Sequence, residues 1–575
     1  MAKSGWKAQR LDRTPAGRYG LIAIGLLLLL PIPAQGADPQ SVSPSAQGEA
    51  GLDVQPSPQA NGDGHRPDHK HGRTTCGRSF CVGLCRLDLD PERGFFALNQ
   101  ESQYFPPASG WSVIMPPIPG PFLRPDEPDA VEVTPAPWRP LFFDNDFRYL
   151  RQEASGYENP FDFLKQIALT PSEDLRLDVG GEFRWQGRWE DNRRLIGERN
   201  DFSLFRQRLY ADTWFRNFAR VYLEYIYADS TPQTVPPLPV EINRGDLLNA
   251  FGELRFFRTD DASLSGRAGR QELLYGNQRL VSPLDWVNTR RTFQGYKLLW
   301  RSENWAIDGF WINPVPPLAD RFDAPDRSRQ FFGVYGSYRG LPNQVIEPFY
   351  LALLETDPIA EGTPGGPRGT FDAQTLGFRY QGQADSGWIL ETELAFQFGR
   401  QVDLSRSAGM ATVGLGKRWN DLWATPELFA FFDYASGDGD PFNDAFGTFN
   451  QLFPLAHKYL GYMDIVARQN IIAPNIVFKL YPGKRVNLLV WYHHFELAQA
   501  RDALYNAAGV PIRRDLSGQA GTNVGDEIDF LVNFIINPNT DFQINYSHFF
   551  AGPFVKRTGV DRDGDFFYMQ FAFRF

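Results

Sequence analysis

The sequence predicts an all-β fold, a transmembrane antiparallel β-barrel of about 18 strands behind a largely disordered N-terminal extension. Three observations predict it: apolar and polar residues alternate along many segments, short and long links between these segments alternate, and the last segment ends in an aromatic residue. Successive side chains of a strand point to opposite faces. A membrane barrel uses this property to turn apolar residues towards lipid and polar residues towards a wet lumen.

Composition agrees with a barrel and argues against two other classes of protein. Aromatic residues make up 15% of the 575 residues, yet the mean hydropathy is only −0.38. A helical membrane protein with so many aromatic residues would have a higher mean hydropathy. A barrel combines the two values, because half of the residues in each strand are polar. The formal net charge of −10 argues against a nucleic-acid partner.

Residues 1–36 are typical of a secretory signal peptide. A basic start with Lys3, Lys7 and Arg10 precedes a short apolar run over 22–30, and Ala34-Gln35-Gly36 fits a cleavage site. The run is too short to span a bilayer comfortably, and no later run approaches the required length. We therefore expect export of the chain, and insertion into a membrane only through strands.

Residues 37–137 are expected to form a proline-rich periplasmic extension that is mostly disordered. It holds a cluster whose members are His65, His69, His71, Cys76, Cys81 and Cys85. Their spacing matches no established zinc or haem pattern. We therefore favour a single disulfide with a spare thiol, or a mobile tail, over a metal site or a redox element. Residues 138–172 are expected at the periplasmic entrance, just outside the barrel, with a short helix within 160–169.

The barrel is expected to occupy 173–575, and its opening strand shows the alternation most clearly. Over 175–189 the odd positions are apolar, aromatic or glycine, whereas the even positions are almost all charged or polar. Later segments alternate in the same way. The predicted strands are 175–189, 202–216, 218–228, 247–257, 263–272, 291–301, 303–313, 328–338, 344–355, 371–381, 387–399, 408–418, 425–436, 470–482, 485–497, 526–537, 540–550 and 564–575.

The links between these segments give an independent test. Short links such as Ser302-Glu303 and 482–484 alternate with longer ones such as 273–290, 437–469 and 498–525. Bacterial barrels alternate short periplasmic turns with long outer loops, and their strand number is even. The last strand ends at Phe575, an outward aromatic of the kind that serves such barrels as an insertion signal. The barrel-assembly machinery and outer-membrane lipid are therefore expected partners.

The inward residues of the predicted strands divide by charge along the chain. The first six strands supply many cations and the later strands many anions, so the two signs should line opposite walls. A row of arginines in such a tube would bind carboxylate or phosphate groups in turn. In the alternative, arginines and acids pair across strands and only stiffen the wall. The inward cations are Arg176, Arg184, Arg188, Arg206, Arg208, Arg220, Arg255, Arg267, Arg291 and Lys297, and the inward anions are Glu391, Glu393, Glu427, Asp433, Glu527 and Asp529.

Segment 266–295, GRAGRQELLYGNQRLVSPLDWVNTRRTFQG, is the most distinctive stretch. It contains Gly269-Arg270-Gln271-Glu272, Gln278-Arg279-Leu280, Asp285-Trp286 and Asn288-Thr289-Arg290-Arg291. Elsewhere stand Gly180-Gly181-Glu182, a run from Phe453-Pro454 through His457 and Gly461 to Asp464, Gly525-x-Glu527-Ile528-Asp529, and Tyr546-Ser547-His548-Phe549. In content and order these fragments resemble the outer-membrane alginate export family over 138–575.

The resemblance implies an eighteen-stranded outer-membrane channel that exports an anionic exopolysaccharide, an alginate-like polyuronate, by diffusion through an arginine-lined pore gated by loops. We expect no cofactor and no metal, with periplasmic export components as further partners. The residues of this chain that become candidate polyuronate contacts are Arg176, Arg184, Arg206, Arg208, Arg267, Arg270, Arg290 and Arg291.

A general or solute-specific porin for small anionic solutes or sugars is the alternative function. A barrel enzyme is not expected, because it would need a nucleophile oriented by histidine or paired carboxylates. The predicted barrel contains four histidines without an accompanying serine motif, namely His457, His493, His494 and His548.

Two loops carry hypotheses of their own. Loop 437–469 holds Asp438, Asp440 and Asp444 near glycines, which suits either a calcium site or a solvated acidic turn. We favour the turn, because the twelve-residue helix–loop pattern is missing. Loop 229–246 holds several prolines, and the stiffness they impose predicts a loop folded over or into the pore. These prolines are Pro232, Pro236, Pro237 and Pro239.

Overall fold

The computed structural model describes residues 138–145, 147, 150, 160–216, 218–259, 261–359, 368–483, 485–537 and 539–575. The predicted signal peptide 1–36 and the predicted extension 37–137, with its histidine and cysteine cluster, lie outside the described residues. Eighteen long strands follow one another along the described chain. They are β1 Leu175–Asp191, β2 Arg199–Phe215, β3 Ala219–Ser230, β4 Asn243–Arg258, β5 Ala262–Gln271, β6 Thr292–Ser302, β7 Trp305–Val315, β8 Arg329–Tyr338, β9 Gln344–Ile359, β10 Arg368–Gln383, β11 Trp388–Gln401, β12 Leu404–Arg418, β13 Glu427–Ala435, β14 Ile471–Gly483, β15 Val486–Leu497, β16 Asn523–Asn537, β17 Thr540–Ala551 and β18 Gly564–Arg574.

Each strand pairs antiparallel with the next strand of the chain, and β18 pairs with β1, so the sheet closes on itself. The closing register joins Arg574 to Glu182 and Asp565 to Asp191. A closed sheet leaves no edge of unpaired backbone groups, and lipid requires this because it offers no hydrogen bonds. The predicted antiparallel barrel of eighteen strands is confirmed.

Burial of side chains follows the predicted period of two. In β1 the inward side chain of Arg184 is 2% exposed, whereas its outward neighbours Phe183 and Trp189 are 42% and 40% exposed. Apolar residues dominate the outward positions of the other strands as well, for example Leu394 and Phe396 of β11. An apolar outer face is what a lipid environment selects. None of the described helices is long and apolar enough to cross a membrane.

The links at the two ends of the barrel differ in length. The β6–β7 and β10–β11 links span only 303–304 and 384–387, whereas 272–291, 436–470 and 498–522 connect strands at the opposite end. Short turns mark the periplasmic side of bacterial barrels. The chain therefore enters β1 from the periplasmic side, and its long loops are extracellular.

Two extracellular loops fold back into the barrel and fill part of it with an apolar core. The Phe453 N–H of loop 436–470 donates to the Leu280 oxygen of loop 272–291 at 2.8 Å. The Phe453 ring lies 4.5 Å from Phe331 and 5.1 Å from Phe293, which point inward from β8 and β6. Alternation along strands predicts a polar lumen but does not report where loop residues go. The interior is therefore more apolar than the strands predict, because apolar side chains of the loops are buried against inward aromatic residues of the wall.

Two short helices lie in loops of the barrel: α1 Ala456–Tyr459 in the inward loop 436–470, and α2 Pro553–Thr558 in the link between β17 and β18. Loop 231–242, which carries the predicted proline cluster, packs on loop 272–291, since the Thr289 N–H donates to the Val240 oxygen at 3.1 Å. Whether this loop controls the pore stays a prediction.

The short helix expected within 160–169 is wrong for most of that stretch. A 3-10 turn covers only Asp162–Leu164, and Ile167–Ala168 form a short strand that pairs with β1 through Ile167 and Leu177. The reason lies in the closing register: β18 reaches β1 only from Glu182 onward. The lower edge of β1 would otherwise stay open, and Ile167–Ala168 cover it.

Residues 138–145, expected just outside the barrel, lie inside it. Leu141, Phe142 and Phe143 are buried against Tyr210 of β2, Tyr222 of β3 and Phe251 of β4. The placement differs from the expectation because the inner wall offers aromatic surface on which these side chains lose their contact with water.

Candidate functional site

Four of the eight predicted site residues are buried on the inner wall of strands β1 to β6. Arg184 of β1, Arg206 and Arg208 of β2, and Arg267 of β5 are all buried on the lumen side. Their spacing follows from the alternation, which sends every second residue of a strand inward. Because each guanidinium is removed from bulk water, its partners decide what the wall is able to bind.

Arg184 and Arg206 hold loop 272–291 inside the barrel. Arg184 donates to the backbone oxygens of Asp285 at 2.6 Å and Val287 at 2.8 Å. Arg206 is paired with Glu182 of β1 and with Asp285 of the loop, each at 2.6 Å. Burial by itself would raise the pKa of Asp285, yet Arg206, Arg290 and Arg184 hold it well below the usual range.

Arg208 and Arg267 pair with acids of neighbouring strands. The distance between Arg208 and Glu224 of β3 is 2.6 Å, and that between Arg267 and Glu253 of β4 is 2.7 Å. The cross-strand pairing considered from the sequence therefore exists at both positions. Such pairs hold the two guanidinium groups in set positions on the lumen side of the wall.

Arg290 joins three parts of the interior. Its Nε donates to Glu272 at 2.5 Å, its Nη2 donates to the backbone oxygen of Pro140 at 2.8 Å, and it is ion-paired with Asp285. The residue thus links the inward loop to both the wall and the N-terminal stretch.

Arg291 lacks such partners. The residue is 4% exposed, and none of its three guanidinium nitrogens has a hydrogen-bond partner among the described residues. It precedes by two residues Phe293, whose ring packs inside the barrel. Burial lowers the pKa of Arg291. A buried guanidinium in this state carries a large desolvation cost that an anion would offset.

Arg176 and Arg270 lie away from this group, near opposite ends of their strands. Arg176, at the periplasmic end of β1, donates to the Gln166 oxygen at 3.0 Å and pairs with Glu173. Arg270, at the extracellular end of β5, pairs with Asp246 at 2.9 Å and donates to the Asp323 oxygen at 2.8 Å. Arg176 and Arg270 thus share none of the partners named above for the other six of the eight predicted contacts.

Arginines of the inward loops pair with three acids of the far wall, Glu391, Glu393 and Asp433. Arg279 of loop 272–291 pairs with Glu391 and, at 3.2 Å, with Glu393 of β11. Arg468 of loop 436–470 lies 2.5 Å from Asp433 of β13. Sequence reasoning placed these acids inward and missed their partners. The fragment Gln278-Arg279-Leu280 was a signal, but its sequence does not show which wall the loop reaches.

The fragment around His457 locks the two inward loops together. The His457 ring stacks on Trp286 with centroids 3.6 Å apart, and its Nδ1 lies 3.1 Å from Asp464. The Met463 N–H donates to Glu527 of β16 at 2.9 Å. Burial lowers the pKa of His457, so these contacts suit a neutral, packed imidazole.

The carboxylates in the acidic stretch of loop 436–470 accept hydrogen bonds from backbone N–H groups of the same stretch. The Asp440 N–H donates to the Asp438 carboxylate at 3.2 Å, and the Phe442 N–H donates to Asp440 at 3.3 Å. Throughout the part of the chain that the structure describes, no group of three His, Cys, Asp or Glu side chains is placed to hold a metal ion. The preference for a solvated acidic turn over a calcium site stays a prediction.

Several solved structures resemble this chain at low identity. Pseudomonas aeruginosa OccK8 (OprE) is 11% identical with a TM-score of 0.46, over 69% of this chain and 98% of that one. Acinetobacter baumannii OccAB2 is 10% identical with a TM-score of 0.46, over 69% and 98%. Pseudomonas aeruginosa OccK2 (OpdF), solved in complex with glucuronate, is 12% identical with a TM-score of 0.45, over 69% and 97%.

The family comparison covers most of the barrel. No curated protein matches the chain. The family described as alginate export matches residues 175–569, from the first residue of β1 into β18. This range contains the inward loops and every predicted site residue. The chain therefore belongs to the alginate export family, and it is a channel of the outer membrane.

Proposed function

We propose that this outer-membrane channel exports an anionic polysaccharide of the polyuronate class, whose carboxylates move along the arginines of β1 to β6 and loop 272–291. The candidate contacts are Arg176, Arg184, Arg206, Arg208, Arg267, Arg270, Arg290 and Arg291, with the central six forming the main path. Arginine suits this task because its planar fork matches a carboxylate with two parallel hydrogen bonds.

The observation that carries the proposal is the state of Arg291. Its guanidinium is buried and has no partner among the described residues, whereas Arg290 beside it is paired with Glu272 and Asp285. A cation is retained inside a protein at high cost unless something compensates it. A passing carboxylate would supply that compensation.

The paired arginines support movement rather than tight capture. Arg206, Arg208 and Arg267 each have a carboxylate of the protein within 2.7 Å. A uronate would compete with these internal acids, so each contact would be weaker than one to a free guanidinium. Conduction needs sites that bind well enough to admit the polymer and weakly enough to release it.

Single-channel conductance in planar bilayers tests this function. Alginate oligosaccharides should block the ion current, whereas neutral malto-oligosaccharides of equal length should not, and small-ion current should be anion-selective. Arg291→Gln should weaken the block severalfold. The matched control is Arg199→Gln at the extracellular start of β2, because this side chain is 74% exposed.

Two results would overturn the proposal. Equal block by neutral and anionic oligosaccharides would favour the general or solute-specific porin instead. Equal block of the Arg291→Gln and Arg199→Gln channels would remove the role assigned to Arg291.

The partners and the division of the chain are proposals of the same kind. We propose cleavage after residue 36, a periplasmic extension over 37–137, insertion by the barrel-assembly machinery, and delivery of polymer by periplasmic export components. The apolar outward face supports contact with outer-membrane lipid.

A further inference from the structure

Residues 138–145, which we name the lumenal segment, lie in the periplasmic half of the barrel and pack on its inner wall. Leu141, Phe142, Phe143 and Asp144 are buried. The Phe142 ring centroid is 5.6 Å from that of Tyr210, and the Phe143 centroid is 5.2 Å from that of Phe251. Aromatic contacts of this kind hold the segment to the wall.

The lumenal segment contacts four arginines of the wall and of loop 272–291. Arg220 of β3 donates to the Phe143 oxygen at 2.5 Å, and Arg290 donates to the Pro140 oxygen at 2.8 Å. The Arg208 guanidinium lies 3.9 Å from the Phe142 ring centroid, and that of Arg267 lies 4.7 Å from the Phe143 centroid. Three of these four arginines are proposed polyuronate contacts.

Asp144 brings a carboxyl group to the same place. Together with Arg267 and Lys297 it lines a cavity of about 60 Å³. Burial raises the pKa of Asp144 to about 6, while Arg267, Arg220 and Lys297 oppose the rise. The lumenal segment thus offers the wall a carboxyl group, carbonyl oxygens and apolar rings. A uronate chain offers comparable groups: carboxylates, hydroxyl oxygens and the apolar faces of its sugars.

We propose that the lumenal segment is a plug seated on the polyanion-binding wall, and that an anionic polysaccharide displaces it by competing for Arg208, Arg267 and Arg290. The inference rests on the proposed function. A ligand shifts an equilibrium only through its different affinity for the two states. The polymer binds these cations when the segment has left them, so it favours the open channel, whereas a neutral sugar has no carboxylate with which to compete.

A further contact holds the start of the plug, and the chain that continues from the plug into β1 keeps it close after displacement. The Lys165 Nζ lies 5.4 Å from the Trp138 ring centroid and donates to the Val179 oxygen of β1 at 2.5 Å. The start of the lumenal segment is thereby tied to the periplasmic end of the wall. A tethered plug returns quickly because its effective concentration near the seat is high.

The test combines conductance with hydrogen–deuterium exchange on the full-length protein. The double variant Phe142→Ala/Phe143→Ala should raise single-channel conductance severalfold. The matched control is Phe163→Ala in the same N-terminal stretch, since Phe163 is 69% exposed. Heat-dependent gel mobility checks that each barrel is folded. In the unaltered protein, alginate oligosaccharides should speed exchange in peptides covering 138–147, and malto-oligosaccharides should not.

The outcomes separate the plug from the proposed function. If alginate oligosaccharides block the current while the double variant conducts like the unaltered channel and exchange at 138–147 does not change, the plug is overturned and the function stands. If alginate affects neither current nor exchange in any variant, both are overturned. Exchange in the unaltered protein keeps the plug testable even if the double variant does not fold.

Discussion

Arg206 and Arg291 are both buried guanidinium groups, and their different partners predict opposite effects on stability. Arg206→Met would leave Glu182 and Asp285 buried with one partner fewer, and breaking a buried pair in this way costs about 3 kcal/mol. Arg291→Met would remove a charge that has no partner among the described residues, and should leave the free energy of unfolding equal or raise it by about 1 kcal/mol.

Urea unfolding of the barrel in lipid vesicles measures both changes against the unaltered protein. A loss of stability in Arg291→Met as large as that in Arg206→Met would show that Arg291 has a compensating partner in the empty channel.

Asp323 fastens loop 316–328 to the extracellular rim. Its carboxyl group accepts hydrogen bonds from the Leu318 N–H at 2.6 Å and the Asn243 amide at 2.8 Å. Burial, with Asp246 as the second cause, raises the pKa of Asp323 from 3.8 to about 7. Between pH 3.8 and about 7, the Asp323 carboxyl group is protonated while the loop is anchored and loses the proton when the loop is released. Anchoring is therefore strongest below this window and weakens as the pH rises through it.

Hydrogen exchange at the Leu318 amide, corrected for its intrinsic rate, should be slower at about pH 5 than at about pH 8. Asp323→Asn should exchange alike at both, because the titrating group is gone. A difference that persists in Asp323→Asn would assign the effect to another group.

Loop 436–470 is an element whose close approach to β16 requires a glycine at position 461. Gly461 has φ +86°, and a Cβ at this position would lie 2.5 Å from the Glu527 carboxylate of β16. Gly461→Ala should therefore loosen the loop while leaving the strands intact, since positive φ and the close approach both disfavour a side chain. Faster exchange in peptides covering 453–466, with unchanged gel mobility of the folded barrel, is the expected result.

Gly439→Ala is the control within the same loop. Gly439 is exposed, and a Cβ there would meet only the flexible Gln499 side chain, at 3.2 Å. Equal exchange in the two variants would mean that Gly461 does not set the position of the loop.

The whole molecule presents one face to lipid and the other to its own loops, and this predicts where a charge is tolerated. Leu394 lies on the outward face near the middle of β11, and Leu516 lies in extracellular loop 498–522; both are about half exposed. Leu394→Arg should destabilise the barrel by about 2–4 kcal/mol, because arginine would lie in the hydrocarbon region. Leu516→Arg should change stability by less than about 0.5 kcal/mol.

The two leucine variants are compared by unfolding in vesicles of the same lipid. Equal effects would place β11 outside the bilayer or Leu516 within it, and either result would contradict the assignment of the strands to lipid and of the long loops to water.

Strand number, antiparallel order and the inward or outward direction of residues such as Phe183 and Arg184 could be predicted from the sequence. The physical reason is local: a period of two sorts side chains between lipid and lumen, and link lengths sort the two ends. The lumen side of Arg206, Arg208 and Arg267 follows from the same rule. Their partners do not, because a partner on another strand or loop depends on register.

Only the tertiary structure decided what lies inside the barrel. The closing register left an edge for Ile167–Ala168, the loops brought Arg279 and Arg468 to the acidic wall, and the inner aromatics took up Phe142 and Phe143. Each of these depends on contacts between segments far apart in the chain, whose positions are set once the barrel has closed. The sequence by itself determined a closed barrel with charged walls, because alternation is a property of each strand alone.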